Sequence, residues 1–171
     1  MKIRVGFGFD VHQLVPDREL WLGGIKFEHE LGLLGHSDAD VLIHAICDAL
    51  LGAANMRDIG YHFPDNAGEF KNIDSKILLV KTVDLIATKG YQVGNVDATV
   101  CAERPKLKAR IPEMQEVLAK LMKVEVDEKG RPVNVYQKVT KEANWLVEEF
   151  MLLANRSVAE FVATGCKGIG D

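Results

Sequence analysis

Apolar and polar residues along the 171-residue chain recur in two rhythms, one short and one long. "VGFGFDVHQL", residues 5–14, is glycine-rich and apolar and reads as a buried strand. Strand side chains alternate between faces, so Asp10 and His12 are expected to point the same way and converge on one spot. "ELWLGGIKFE" reads as a second strand, reached through a turn. "SDADVLIHAICDALLGAA" opens with acidic residues and continues with Val41, Ile43, Ile46 and Leu50 at helical spacing, which predicts a helix. "DSKILLVKTVDLIATKG" predicts another, stopped by Gly90. "QVGNVDATVCA" alternates like a strand, and "KARIPEMQEVLAKLM" follows as a helix opening near Pro112. "PVNVYQ" reads as a strand, and "KEANWLVEEFMLLANRSVAEFVA" as a long helix with Trp145, Phe150, Leu153 and Phe161 on its apolar stripe. This interleaving predicts one α/β (α+β) domain: a mixed sheet with the helices packed largely on one face.

Composition narrows the class. With 47% hydrophobic and 27% charged residues the chain can bury a core, unlike a disordered segment. A formal net charge of −4 gives nucleic acid or an acidic membrane surface no purchase. The N-terminus reaches Asp10 too early to hold a secretory apolar core, and no apolar run is long enough to span a bilayer. Cys47, Cys101 and Cys166 are far apart, odd in number and without a C-x-x-C pattern, so the expected setting is the reducing cytoplasm.

The candidate chemistry lies where polar residues interrupt the apolar pattern. Asp40, His44 and Asp48 form one stripe of the first helix. His44, set beside Asp10 and His12, would complete a mixed nitrogen and oxygen donor set that suits zinc with one coordination position open. Asp40 or Asp48 is the expected partner fixing the His44 tautomer. The competing reading is a set of histidines hydrogen-bonded within a core. His62, in "IGYHFPD", is a weaker metal candidate on a loop. Ser37 and Asp38 occupy expected N-cap positions, where a helix end and His36 would together receive a phosphate oxygen; ordinary capping explains the same residues. In "MRDIGYHFPDN", Asp58, Gly60 and Asp65 either hold ligand hydroxyls or shape a turn. "CAERPKLKARIP", with Pro105, Lys106 and Lys108, reads alone as a solvated basic loop.

Taken together, "GFDVH", "GLLGHSDADVLIHAICDALLGAA", "DIGYHFPD", "DSKILL", "KGYQVGNVDATVCAERPKL" and "IPEMQ" resemble, in order, the 2-C-methyl-D-erythritol 2,4-cyclodiphosphate synthase family over residues 1–122. The resemblance implies a homotrimer with active sites between subunits and a CDP-linked small-molecule substrate. The reaction it implies is cyclisation of 4-diphosphocytidyl-2-C-methyl-D-erythritol 2-phosphate with release of CMP. Asp10, His12 and His44 match the family's zinc ligands. His36 matches its transition-state stabiliser and Ser37 a phosphate-holding position. Asp58, Ile59 and Gly60, with Phe63, Pro64 and Asp65, match segments touching the methylerythritol phosphate. Ala102, Glu103, Arg104, Pro105, Lys106, Leu107 and Lys108 match the loop that receives cytosine. A second divalent cation, magnesium or manganese, is implied as well. Its ligand has no clear match, because the family's threonine-rich segment and the glutamate after it are replaced; Thr140 and Glu142 stand nearest. From 126 to 161 the chain resembles a fragment of ribonuclease II/R-type exoribonucleases that lacks their acidic metal cluster, so no ribonuclease activity is implied. The expected layout is a core over 1–125 and an atypical strand and helix over 126–171, packed on the same domain. A metal- and nucleotide-binding homologue without turnover is the alternative that the replaced segment raises.

Overall fold

Two glycines set the geometry of the first sheet. In the computed structural model, which describes residues 3–64 and 73–124, Gly23 and Gly24 both adopt positive φ, 62° and 79°. Two successive left-handed residues make the tight turn whose twist matches a hairpin. The turn joins β2 (Leu20–Leu22) to antiparallel β3 (Ile25–Phe27), with Leu20 opposite Phe27, Trp21 opposite Lys26 and Leu22 opposite Ile25. "ELWLGGIKFE" is therefore a complete hairpin rather than one strand. The strand alternation sends Leu20, Leu22, Ile25 and Phe27 inward and leaves Lys26 exposed. β1 (Leu14–Pro16) pairs antiparallel with β4 (Leu31–Leu33) in a second two-stranded sheet.

The three longer helices arise where the apolar spacing predicts them, whereas Ile59–His62 is one helical turn, capped by Asp58, in the stretch expected to be a loop carrying His62. α1 spans Val41–Ala53, α2 Ile59–His62 and α3 Ser75–Ala87; α4 (Ile111–Leu121) follows a 3₁₀ turn at Lys108–Arg110 and has a proline in its first turn. Gly90, at φ 75°, lies just beyond α3. α1 packs against α3 and touches β2, while α4 packs on α3 and β3. The shared core joins the hairpin residues to Ile43, Ile46 and Cys47 of α1, Leu79 and Val83 of α3, and Met114 and Leu118 of α4. Ile43, Leu51 and Leu79 are fully buried, each stabilising the fold by about 1.5–3 kcal/mol. Burial pushes the Cys47 thiol up to about 12, which leaves it a small hydrophobe rather than a nucleophile.

The N-terminal segment departs from expectation in two respects, its pairing and the burial of its apolar face. Among the described residues, 3–13 join no ladder, and neither do 92–102. The sequence period specifies which face each side chain takes; a ladder further requires a neighbouring strand. The faces are as predicted. Gly6 and Gly8 lie so close to α1 that an added Cβ would fall 1.9 Å from the Ala49 and Ala45 carbonyl oxygens respectively. The alternate residues Ile3, Val5, Phe7, Phe9 and Val11 point away and are 72–90% exposed in the single chain, instead of buried. The α/β class stands, with strand pairing confined to the two small antiparallel sheets among the described residues. The expected strand at 132–137, the helix after it, the 125/126 boundary, Asp65, Thr140, Glu142 and Cys166 fall outside the described residues. No described helix is long and apolar enough to cross a membrane.

Candidate metal centre

α1 is held at its start by Asp40, and this anchoring places His44 one turn further along. The buried Asp40 carboxylate caps the helix through Ile43 N–H (3.1 Å) and also accepts the N–H groups of Gly23 (2.9 Å) and Gly24 (2.6 Å). Burial pushes the Asp40 carboxyl upward, while the amides of Gly24, Ile43 and Gly23 pull the other way. The glycine face of the N-terminal segment lies along the same helix, so Asp10 and His12 reach His44 across it. Asp10 Oδ2 lies 2.9 Å from His12 Nε2 and 3.1 Å from His44 Nδ1. The two rings meet at 61° with centroids 5.4 Å apart. One ligand atom from each of the three residues lies within 4.8 Å of the others, which makes Asp10, His12 and His44 a candidate metal site.

The donor chemistry fits a cation. His12 Nδ1 donates to the Leu34 carbonyl at 2.5 Å, so in the neutral ring Nε2 carries the lone pair aimed at Asp10. Lone pairs converging on a carboxylate oxygen repel unless positive charge sits among them, and a divalent ion supplies it. Burial works against the Asp10 carboxylate. With the rings protonated and no cation bound, the hydrogen bond from His44, the charge of His12 and the Val11 N–H outweigh it and hold the pKa below the ordinary 3.8, so ring protons and a cation compete for the same place.

The expected tautomer-fixing partners are not the observed ones. Asp40 spends both oxygens on backbone amides, and Asp48 accepts the N–H of Ile59 at 2.8 Å. His44 Nε2 instead faces Ser75 Oγ at 3.0 Å and Ser37 Oγ at 3.1 Å. Ser75 was not among the predicted site residues. Its only signal was a serine opening the helix in "DSKILL", 31 residues from its partner. The predicted capping by Ser37 and Asp38 is corrected too. Both precede the cap: Ser37 Oγ accepts Ala39 N–H, and Asp38 accepts Asp40 N–H and Ser75 N–H. With Asp40 already bonded to Ile43 N–H, the start of α1 is occupied by the chain's own carboxylate rather than open to an anion.

The segment carrying His36 is pinned from behind. Arg18 donates from Nη1 to the Gly35 carbonyl (3.0 Å) and from Nη2 to the Ser37 carbonyl (2.8 Å). His36 itself is exposed, whereas Ser37 is buried. Asp58 caps α2 by accepting Tyr61 N–H at 2.8 Å; Ile59 and Gly60 lie within that turn of helix. Phe63 is buried and Pro64 partly so. His62 bonds the Met56 carbonyl at 2.7 Å, apart from the Asp10 cluster. Ala102, Glu103, Arg104 and Lys106 are exposed, with Pro105 (after a cis bond) and Leu107 partly buried, and Lys108 starting the 3₁₀ turn. Arg104, Pro105 and Lys106 line an open cavity of about 480 Å³ with His29 and Glu30; none of the three metal candidates lines it.

The model of the YgbB family matches residues 3–155, a span that runs past residue 122. A relative from Phocaeicola vulgatus, named 2-C-methyl-D-erythritol 2,4-cyclodiphosphate synthase, is 89% identical over 128 residues, covering 75% of this chain and 80% of its own. A relative of the same name from Bacteroides fragilis is 82% identical over the same shares. A solved structure titled as that synthase in a CDP-bound form superposes with a TM-score of 0.67 at 33% identity, covering 70% of this chain and 80% of that one. The family match covers the Asp10, His12 and His44 cluster and most of the chain, and the chain belongs to the YgbB family.

Proposed function

We propose that this chain converts 4-diphosphocytidyl-2-C-methyl-D-erythritol 2-phosphate into 2-C-methyl-D-erythritol 2,4-cyclodiphosphate and CMP, a metal-dependent step of non-mevalonate isoprenoid biosynthesis in the cytoplasm. The observation that carries the reading is the convergence of Asp10, His12 and His44 in a chain so close to relatives named for that activity. Those names favour turnover over binding alone.

The substrate's 2-phosphate is already anionic, so its attack on the β-phosphorus needs no strong protein base. The work left to the protein is to hold two repelling phosphates in line and to neutralise charge as it develops. Asp10 Oδ2, His12 Nε2 and His44 Nδ1 are the atoms that would hold zinc, which when bound supplies Lewis acidity at a phosphoryl oxygen. His36 and Ser37 sit on the Arg18-pinned segment and take the phosphates, with His36 stabilising the transition state. Asp58, Ile59, Gly60, Phe63, Pro64 and Asp65 contact the methylerythritol phosphate. The loop from Ala102 to Lys108 takes the cytosine, largely through backbone groups, and a second divalent cation, magnesium or manganese, accompanies the diphosphate.

The active unit is a homotrimer with sites between subunits. Two features support this. Ile3, Val5, Phe7, Phe9 and Val11 form an apolar row that a second copy would cover, and the nucleotide loop lines a cavity separate from the metal cluster in one chain. The test is metal analysis, sedimentation and a CMP-release assay on one preparation. Zinc near one equivalent per chain, a trimer and CMP release dependent on added divalent metal are expected. A zinc-loaded trimer that releases no CMP overturns the activity.

A further inference from the structure

Ser75 is the first residue of α3, fully buried, and faces the side of His44 opposite Asp10. Its hydroxyl has three polar neighbours. Asp38 Oδ1 lies at 2.5 Å, His44 Nε2 at 3.0 Å and Ser37 Oγ at 3.4 Å. A carboxylate accepts and cannot donate, so the single Ser75 hydrogen goes to Asp38. The Ser75 oxygen then presents only lone pairs to His44, and the favourable partner there is an Nε2–H. Ser37 imposes no such direction, because its hydroxyl is not committed to a carboxylate and takes either role toward Nε2.

We propose that Ser75, oriented by Asp38, is a positioning residue: it keeps the His44 proton on Nε2 and so leaves Nδ1 as the electron pair offered beside Asp10. The inference rests on the metal reading above and adds to it the residue pair that sets the ligand's polarity. Asp38 is itself fixed for this task, since its other oxygen accepts the Ser75 backbone N–H at 3.0 Å and its own N–H donates to the Ile73 carbonyl at 3.1 Å. Without the Ser75 hydroxyl, Ser37 is able to donate into Nε2, which moves the ring proton to Nδ1 and blocks the ligand atom. Replacing Ser75 by alanine removes only the hydroxyl and keeps the backbone bond to Asp38, so the start of α3 stays tied to the segment before α1.

The experiment compares the full-length wild-type chain with Ser75→Ala by zinc titration against a chromophoric chelator. Nitrogen-15 histidine spectra of the zinc-loaded proteins accompany it. Zinc affinity is expected to fall by about 10–100-fold in Ser75→Ala, the usual size for loss of a ligand's outer partner. The zinc-loaded wild type is expected to show a slowly exchanging His44 Nε2–H signal, which in the variant shifts and exchanges faster. Unchanged zinc affinity in Ser75→Ala overturns the proposal. So does a zinc-loaded wild type whose His44 carries no proton on Nε2, a result that needs no variant at all. Failure of the metal reading looks different, because the wild-type chain itself then binds no zinc.

Discussion

Replacing Asp40 by alanine should cost far more than the loss of one helix cap. An ordinary N-cap substitution destabilises by about 1 kcal/mol. Asp40 also holds the Gly23 and Gly24 amides, and all three donors lose their acceptor inside the protein. Hydrogen bonds to a charged group contribute about 1.5–3 kcal/mol each, but their loss is not additive because water entering the space recovers part of it. The expected total is about 3–5 kcal/mol, the low end for three buried N–H donors left unsatisfied at about 1–3 kcal/mol each. With a urea dependence of about 2 kcal/mol per molar, the unfolding midpoint drops by about 1.5–2.5 M at fixed protein concentration. Asp40→Asn keeps one acceptor and turns an NH₂ toward a backbone donor, so it should lose about 2 kcal/mol or more. Asp58→Ala is the control. Its carboxylate caps exposed α2 through Tyr61 N–H, and its loss should stay within about 1 kcal/mol. An Asp40→Ala penalty no larger than that of Asp58→Ala refutes the reasoning.

Four other outcomes follow from the same geometry. Gly8→Ala places a methyl group against the Ala45 carbonyl, so it should destabilise by about 1–3 kcal/mol or more and, by lifting Asp10 from α1, lower bound metal in elemental analysis. His44→Ala should remove most zinc; unchanged zinc content refutes the assigned ligand. Lys106→Ala should weaken CDP binding by calorimetry with little effect on zinc, since Lys106 lines a cavity that Asp10, His12 and His44 do not line. Phe7→Glu should shift the sedimentation of the assembly toward single chains, and an unchanged trimer refutes the role given to the apolar row.

The three longer helices were legible because each carries its own record: apolar spacing, an aspartate at the start of α1 and α3, a proline opening α4; the single turn of α2 is too short to carry one. The pairing of Asp10 with His12 was legible for a similar reason, as two residues on one extended segment must share a face. Pairing between segments was less so. The 92–102 alternation specifies two faces but no neighbour, and the glycines of "LWLGGIKF" were passed over as a turn, although two left-handed residues there fold the stretch back on itself. The partners of His44 were misread because Asp40 and Asp48 share its helical stripe, yet side-chain direction sends one to the hairpin amides and the other to Ile59. Ser75 reaches His44 from another helix, and no local period encodes that meeting.

Arg18 has a consequence for the phosphate-holding role proposed for His36 and Ser37. Its planar fork grips the carbonyls on either side of His36, a grip that lysine, as a single point charge, cannot reproduce. Freezing this bend during folding spares an incoming ligand the entropy of ordering it, about 1–2 kcal/mol for each backbone residue already fixed. That preorganisation belongs to the free chain and persists between turnovers.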